Sequence, residues 1–312
     1  MILVAGSANL DFVVRAEHIP APGETVLGHS LATFPGGKGA NQAVAAARAG
    51  GSATHMLLAL GQDTHAQVLE ASLRSAGVHM HVVRSRTQQA SGTAFICVSR
   101  SGENAITVAP GANMELAVHD LPPLDGFGYL LMQLEIPLEA VRAYARAARS
   151  AGVKVVLNAA PAQALDDELL ALVDVLVVNQ GELMRLRGGA GSIAAALERL
   201  PVPLVVVTLG ARGCCARTPT GLVLQPAFAV EPADTTGAGD TFCGVLVAAL
   251  DQGTPLPQAL RLASAAAALA CTRVGAQTSI PEQGEVTQFL SQQQTADAAT
   301  LTRLRDYCAS AS

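Results

Sequence analysis

Short apolar runs rich in Val and Leu alternate along this chain with longer Ala/Leu-rich amphipathic stretches, and few folds accommodate that rhythm. The runs at 2–7, 54–60, 129–133, 154–158, 173–178 and 203–208 are apolar at successive positions, as strands buried on both faces require. Stretches 39–49, 66–76, 138–151, 192–200, 239–251 and 256–272 read as helices, several closed by a glycine such as Gly77 or Gly152. Strands separated by helices long enough for a crossover predict an α/β sandwich, a mostly parallel sheet covered on both faces.

Two regions break the rhythm. Residues 12–33 carry Pro20, Pro22 and Gly23, and in 92–108 β-prone residues flank the turn Arg100-Ser101-Gly102-Glu103. Both read as antiparallel ribbons outside the main sheet, which together would form one small lid over a site at the sheet's edge. After Leu290, Ser291-Gln292-Gln293-Gln294 opens a polar segment with a short helix-like run at 301–307. The expected organisation is one domain over 1–290 and a surface tail over 291–312.

Composition narrows the function classes. With 312 residues, 50% hydrophobic and 14% charged, the chain can bury a large single core. A net charge of -5 without any Lys/Arg block argues against nucleic-acid and membrane-surface partners. Met1 to Gly6 read as a buried first strand and not a secretion signal, and no apolar run approaches a membrane span. Cys97, Cys214, Cys215, Cys243, Cys271 and Cys308 contain no C-x-x-C pair and read as reduced thiols of a cytoplasmic protein.

The loop Asp234-Thr235-Thr236-Gly237-Ala238-Gly239-Asp240, running into the apolar stretch 241–250, has the character of a phosphate site with a base inside it. Its glycines let the backbone approach an anion, and a helix starting there directs free N–H groups and its positive dipole end at the same spot. Asp240 would repel phosphate, so it is either a helix cap or a proton acceptor.

A second cluster, Gly36-Gly37-Lys38-Gly39-Ala40-Asn41-Gln42, lacks the G-K-[S/T] ending of a Walker loop, and the chain has no G-x-G-x-x-G fingerprint. Exposed backbone amides with Asn41 suit a neutral polyhydroxyl ligand, while a plain glycine turn before a helix is the alternative. Asn9 and Asp11, at alternate positions, share one face of an extended segment and either hold vicinal hydroxyls or make an Asx turn. Asn179 and Glu182 fall at the carboxyl edge of the sheet, where Glu182 suits an outer-sphere magnesium, with a capping role for Asn179 as the alternative. Thr208-Leu209-Gly210-Ala211-Arg212-Gly213 reads as a nucleotide-edge loop or a hairpin turn. There is no H-E-x-x-H pattern, and His79 and His81, at strand spacing, read as surface residues.

Together with 131–135 and 264–280, these segments resemble, in order and over about residues 1–290, the ribokinase family of sugar kinases. The resemblance implies a three-layer α/β/α sandwich with a small β-sheet lid, and transfer of the ATP γ-phosphoryl group to the 5-hydroxyl of D-ribose. Asp240 matches the family's catalytic base, and the Gly237, Ala238 and Gly239 amides its anion hole. Ribose contacts are implied for Asn9, Asp11, Gly37, Lys38, Asn41, Glu135 and Asp240. Nucleotide contacts are implied for Asn179, Thr208, Gly210, Gly213, Gly239 and Ser264. The family also implies Mg2+ near Glu182, and a monovalent cation, usually K+, near Asp234, Thr236, Ala270, Arg273, Gly275 and Ser279, mostly through backbone carbonyls. Its lid often serves as a homodimer interface. Ser264 stands where the family often has a larger polar residue, and the tail after 290 has no counterpart. A nucleoside acceptor would want an aromatic-lined pocket, and this chain has no Trp, 3 Tyr and 7 Phe. Kinases of 2-deoxyribose or a ketohexose remain as alternatives, as does a sugar sensor that has lost the chemistry, against which the intact Asp240 loop counts.

Overall fold

The computed structural model describes residues 1–187 and 191–310. In chain order its strands are β1 (Ile2–Ala5), β2 (Asn9–Arg15), β3 (Ser30–Gly36), β4 (Thr54–Leu60), β5 (His79–Arg84), β6 (Gly92–Val98) and β7 (Asn104–Ala109). They continue with β8 (Tyr129–Met132), β9 (Lys154–Asn158), β10 (Val175–Asn179), β11 (Leu204–Thr208), β12 (Gly213–Thr218) and β13 (Gly221–Pro226). The helices are α1 (Lys38–Arg48), α2 (Thr64–Ser75), α3 (Leu138–Ser150), α4 (Asp167–Leu170) and α5 (Gln180–Arg187). After them come α6 (Ile193–Glu198), α7 (Ala238–Asp251), α8 (Leu256–Cys271), α9 (Gln283–Ser291) and α10 (Ala298–Ala309).

Nine strands form the main sheet in the order β13-β12-β11-β10-β9-β8-β1-β4-β5, parallel except for the antiparallel pairs β11–β12 and β12–β13. Growth in both directions from β1 creates a switch point at its carboxyl end, the crevice where open α/β sheets collect ligands. Alternate residues of each strand face opposite layers. Leu3, Leu57 and Leu130 meet Tyr144 of α3 and Leu183 of α5 on one side. Ile2, Met56 and Leu131 meet Val44 of α1, Leu246 of α7 and Leu260 of α8 on the other.

Four strands, β3-β2-β6-β7, form the lid. Each ribbon is antiparallel internally, as expected, but the two join through a parallel β2–β6 pair. The lid also begins and ends nearer the site than the sequence pattern implies, at Asn9 and Gly36. Asn9 and Asp11 are therefore lid residues, directly downstream of β1.

The pattern reading misses β5, β12 and β13. The last two are an antiparallel hairpin whose strands lie between the glycines at 210, 213 and 221, so its punctuation looks like loop. The tail is not a surface appendage. Leu304 and Cys308, one helical turn apart on α10, are 5% and 0% exposed and join the core cluster where α10 packs against β13 and α6. The polar run before α10 hides that narrow apolar stripe.

Candidate active site

Two helices begin at the carboxyl end of β1, and glycine permits each approach. Gly37 has φ 87, and a Cβ there would lie 2.7 Å from Ala8 Cα and from Asn9 N, so the start of α1 crosses the β1–β2 connection at backbone contact. Gly237, at φ 75, is the left-handed N-cap of α7. No side chain caps that end, which leaves the dipole end of α7 to a ligand.

This convergence decides the ambiguity over Asp240. Its Oδ2 accepts from Asn41 Nδ2 at 2.9 Å and its Oδ1 from Gln42 Nε2 at 2.9 Å. The carboxylate thus points away from its own helix end and is no cap. Gln42 is held in register by Gln133, whose Nε2 donates to Gln42 Oε1 at 2.6 Å, while Gln42 Nε2 also donates to Asn158 Oδ1 at 3.0 Å. Asn158 is tied in turn to the Val177 carbonyl at 3.0 Å. Gln42, Gln133 and Asn158 carry no assigned role in the sequence reading. The available signal is that each is a polar residue inside, or at the end of, an otherwise apolar element.

Replacing Gln42 by Leu is expected to leave the partners on Asp240, Asn158 and Gln133 unpaired. With a cost of about 1–3 kcal/mol for each group that water cannot reach, thermal denaturation should show a clear fall in Tm. An unchanged Tm would mean that the network does not hold the site.

Asp240 borders a cavity of about 150 Å3 that also collects Lys38, Asn179, Glu182, Thr208 and Gly239. The Ala238 N–H turns to the Thr235 carbonyl at 3.3 Å, and Gly237 and Gly239 are the loop glycines that line this cavity. Asn179 and Glu182 cap each other: Asn179 N donates to Glu182 Oε2 at 2.7 Å, and Glu182 N to Asn179 Oδ1 at 2.8 Å. Both side chains still line the cavity. Burial raises the pKa of Glu182, against the pull of the Asn179 amide and Lys38. The Lys38 amine is held above its ordinary pKa chiefly by Asp240, against burial, with help from Glu135 and Glu182. Lys38 lines this cavity, and its backbone N–H donates to Glu135 Oε2 at 3.2 Å.

A separate cleft of about 430 Å3 runs between the lid and the loops at 232–236 and 274–276, from Asp11 past Phe34 to Asp234. Asn9 and Asp11 are buried, and Asn9 Oδ1 accepts from Asn113 Nδ2 at 2.8 Å, which leaves the Asn9 amide hydrogens as donors. Asn113, like Ser7, which donates to Glu135 Oε2 at 2.5 Å, is absent from the sequence reading. Asn41 Oδ1 is a buried acceptor without a protein partner. Burial, then the Glu135 and Asp240 carboxylates, push Asp11 up to about 7, with Lys38 opposing.

The remaining candidates divide. Gly210 and Gly213 flank the turn after β11, and a Cβ on Gly213 would strike the Gln225 carbonyl at 2.1 Å, so that glycine serves the hairpin. Arg212 stacks over Tyr307 of α10 at 4.3 Å, and Tyr307 Oη donates to Gln180 Oε1 at 2.8 Å. Ser264 is buried on α8 against Cys214 of β12, outside the lining of the Asp240 cavity. Asp234 ties the loops at 234–236 and 273–275 together, accepting from Gly275 N at 3.0 Å and Thr236 N at 2.9 Å. Burial alone would raise its pKa, but the Gly275 and Thr236 hydrogen bonds hold it below the ordinary range. The Arg273 guanidinium turns to Glu285, leaving only its backbone facing the loop, and Ser279 Oγ is bonded to the Ala276 carbonyl at 2.8 Å.

A helix end open to an anion, a carboxylate held at its mouth and the buried polar side chains of Asn9, Asp11 and Asn41 close by fit a phosphotransferase of small polyols. Comparison with known proteins agrees. Residues 1–283 match the pfkB family carbohydrate kinase profile, and the chain belongs to that family. It is 38% identical over 300 residues to the ribokinase of Haemophilus influenzae, covering 93% of this chain and 98% of that one. It is also 38% identical over 294 residues to the ribokinase of Bacillus subtilis, covering 93% and 99%. The fold matches the structure of Arabidopsis thaliana ribokinase complexed with ribose and ATP, with a TM-score of 0.83 and 32% identity over 94% of this chain and 99% of that one.

Proposed function

We propose that this protein transfers the γ-phosphoryl group of ATP to the 5-hydroxyl of D-ribose. The observation that carries the reading is the carboxylate of Asp240, held by Asn41 and Gln42 at the wall of the anion-loop cavity and close enough to the buried Asp11 to raise its pKa. Ribose in the cleft would donate to Asp11 and to the unpartnered Asn41 Oδ1, and accept from the Asn9 amide, with Gly37 and Glu135 closing the far side. Its 5-hydroxyl would then lie beside Asp240, which takes the proton as the O–P bond forms and ADP leaves. Phosphoryl transfer passes through a loose transition state, so alignment and neutralisation of the equatorial oxygens matter more than basicity. The dipole of α7, the Gly239 amide and the Lys38 amine supply that neutralisation. Asn179, Thr208, Gly210 and Ser264 mark the path proposed for the nucleotide.

Glu182, one half-buried carboxylate facing the phosphate cavity, suits an ion that keeps most of its water, and Mg2+ there would neutralise phosphate oxygens. The donors near Asp234, Thr236, Ala270, Arg273, Gly275 and Ser279 are carboxylate, hydroxyl and carbonyl oxygens, which fit an alkali cation such as K+. That ion would tie the cleft wall to the loop that begins α7. Leu31, Phe95 and Ile106 leave apolar surface exposed on the lid, which supports a homodimer through that element. Among the described residues no helix is long and apolar enough to cross a membrane, and we place the protein in the cytoplasm.

The test is ADP release with D-ribose, 2-deoxyribose, fructose and adenosine, with and without K+. Preference for D-ribose and activation by K+ are expected. Preference for another acceptor would overturn the ribose assignment, and no turnover with any would favour a sensor. Size-exclusion chromatography with light scattering tests the dimer. Because Tyr307 braces both Arg212 and Gln180, Tyr307→Ala is expected to raise KM for ATP by about 3- to 10-fold, the scale of one lost cation–π contact. KM for ribose should stay unchanged, and equal shifts in both would mean general loosening.

A further inference from the structure

At the end of the sheet opposite Asp240, β4 and β5 begin with three histidines on one face: His55, His79 and His81. The parallel register sets His55 directly across from His79, and His81 follows two residues on. One ring nitrogen from each lies within 4.8 Å of the others, and His55 Nδ1 stands 3.0 Å from His81 Nε2. We propose that His55, His79 and His81 form a binding site for a late first-row divalent ion of the Zn2+, Ni2+ or Cu2+ kind.

Ligand type and spacing both favour such ions. Imidazole nitrogens suit Zn2+, Cu2+ and Ni2+, and three of them leave a position for water. Tetrahedral Zn–N bonds of about 2.0–2.1 Å put ligand nitrogens about 3.4 Å apart, so the trio needs only ring rotation to close on an ion. The 3.0 Å His55–His81 contact means that one ring must lend its proton to the other, and an ion replaces that shared proton. Edge-on contact with Phe127, centroid to centroid 5.1 Å, fixes the His55 ring, while His79 stays exposed and gives access. Burial, reinforced by the neighbouring rings, lowers the pKa of His55 and His81, which favours the neutral, ligating form. The nearby Met1 amine is countered by Asp251 at 3.1 Å. The sequence shows only the His79/His81 pair, because the third ligand comes from the adjacent strand.

The experiment is calorimetric titration of untagged, chelator-treated full-length protein with Zn2+ alone, and parallel Co2+ absorption spectroscopy. About one ion per chain is expected, with affinity reduced at least about tenfold in His79→Ala and His81→Ala, as loss of a ligand should do. The visible Co2+ bands should disappear in both variants. His79 is exposed on an edge strand, so its replacement leaves the core untouched. Absence of saturable binding overturns the proposal. So does binding of equal affinity in the variants, which would assign the ion to the cysteines.

Discussion

Asp240→Asn is expected to lower kcat by about 10² to 10⁴, the usual weight of a positioned general base, while Tm changes little. The hydrogen bonds around Asp240 explain why this substitution isolates the proton-accepting role. Gln133 locks the Gln42 amide with its Nε2 toward position 240, so the new carboxamide must present its oxygen on that side. Its NH2 group then meets Asn41, whose Oδ1 has no protein partner and can turn to accept it. The shape is kept, the Asn41 NH2 group turns away from position 240 in exchange for Oδ1, and the capacity of residue 240 to take a proton is lost. Steady-state kinetics at saturating ribose and ATP would decide it. Near-full activity would remove Asp240 from the chemistry.

Asp11→Asn should separate binding from stability. With its pKa at about 7, against 3.8 for an unperturbed carboxyl, Asp11 stays protonated in the folded chain over a range where the unfolded chain has released the proton. The native state then binds more protons, so its stability falls as pH rises between those values and levels off above them. At 1.36 kcal/mol per unit, the shift corresponds to roughly 4 kcal/mol as an upper bound. The Asn variant carries no such proton. Relative to it, the wild-type protein should lose stability from pH 4 to pH 8 in denaturant titrations, leaving the variant the more stable at high pH. Ribose binding should move the other way. Loss of a charged acceptor, about 1.5–3 kcal/mol, predicts KM for ribose about 10- to 100-fold higher. Parallel pH dependences in the two proteins would show that Asp11 ionises normally. Such a carboxylate, costly to the fold and useful to the ligand, is the usual trade at a binding site.

The main sheet is legible from sequence because its signal is local. Val206 and Val207 face opposite layers, both apolar, and a window of a few residues reveals that. The hairpin β12–β13 is less legible, since polar residues such as Arg217 and Gln225 interrupt its apolar runs and its glycines look like loop. The loop from Asp234 to Asp240 stands out as a candidate anion site because glycine spacing and helix onset are local too. Its neighbours do not stand out. Gln42, Gln133 and Asn158 gain meaning only when α1, β8 and β9 meet, and α10 looks like a free tail until Leu304 and Cys308 find the core.

By itself the sequence determined the layered α/β architecture, the lid as a separate ribbon pair, and the residue types offered to phosphate and hydroxyl. Only the tertiary structure decided that Asp240 accepts from Asn41 and Gln42 instead of capping its helix, that Lys38 shares a cavity with Asp240 and Glu182, and that His55 completes a trio. Periodicity and glycine conformation act over a few residues, whereas a buried carboxylate is oriented by whichever partners folding delivers. For Asp240 the partner on Asn41 lies 199 residues away along the chain.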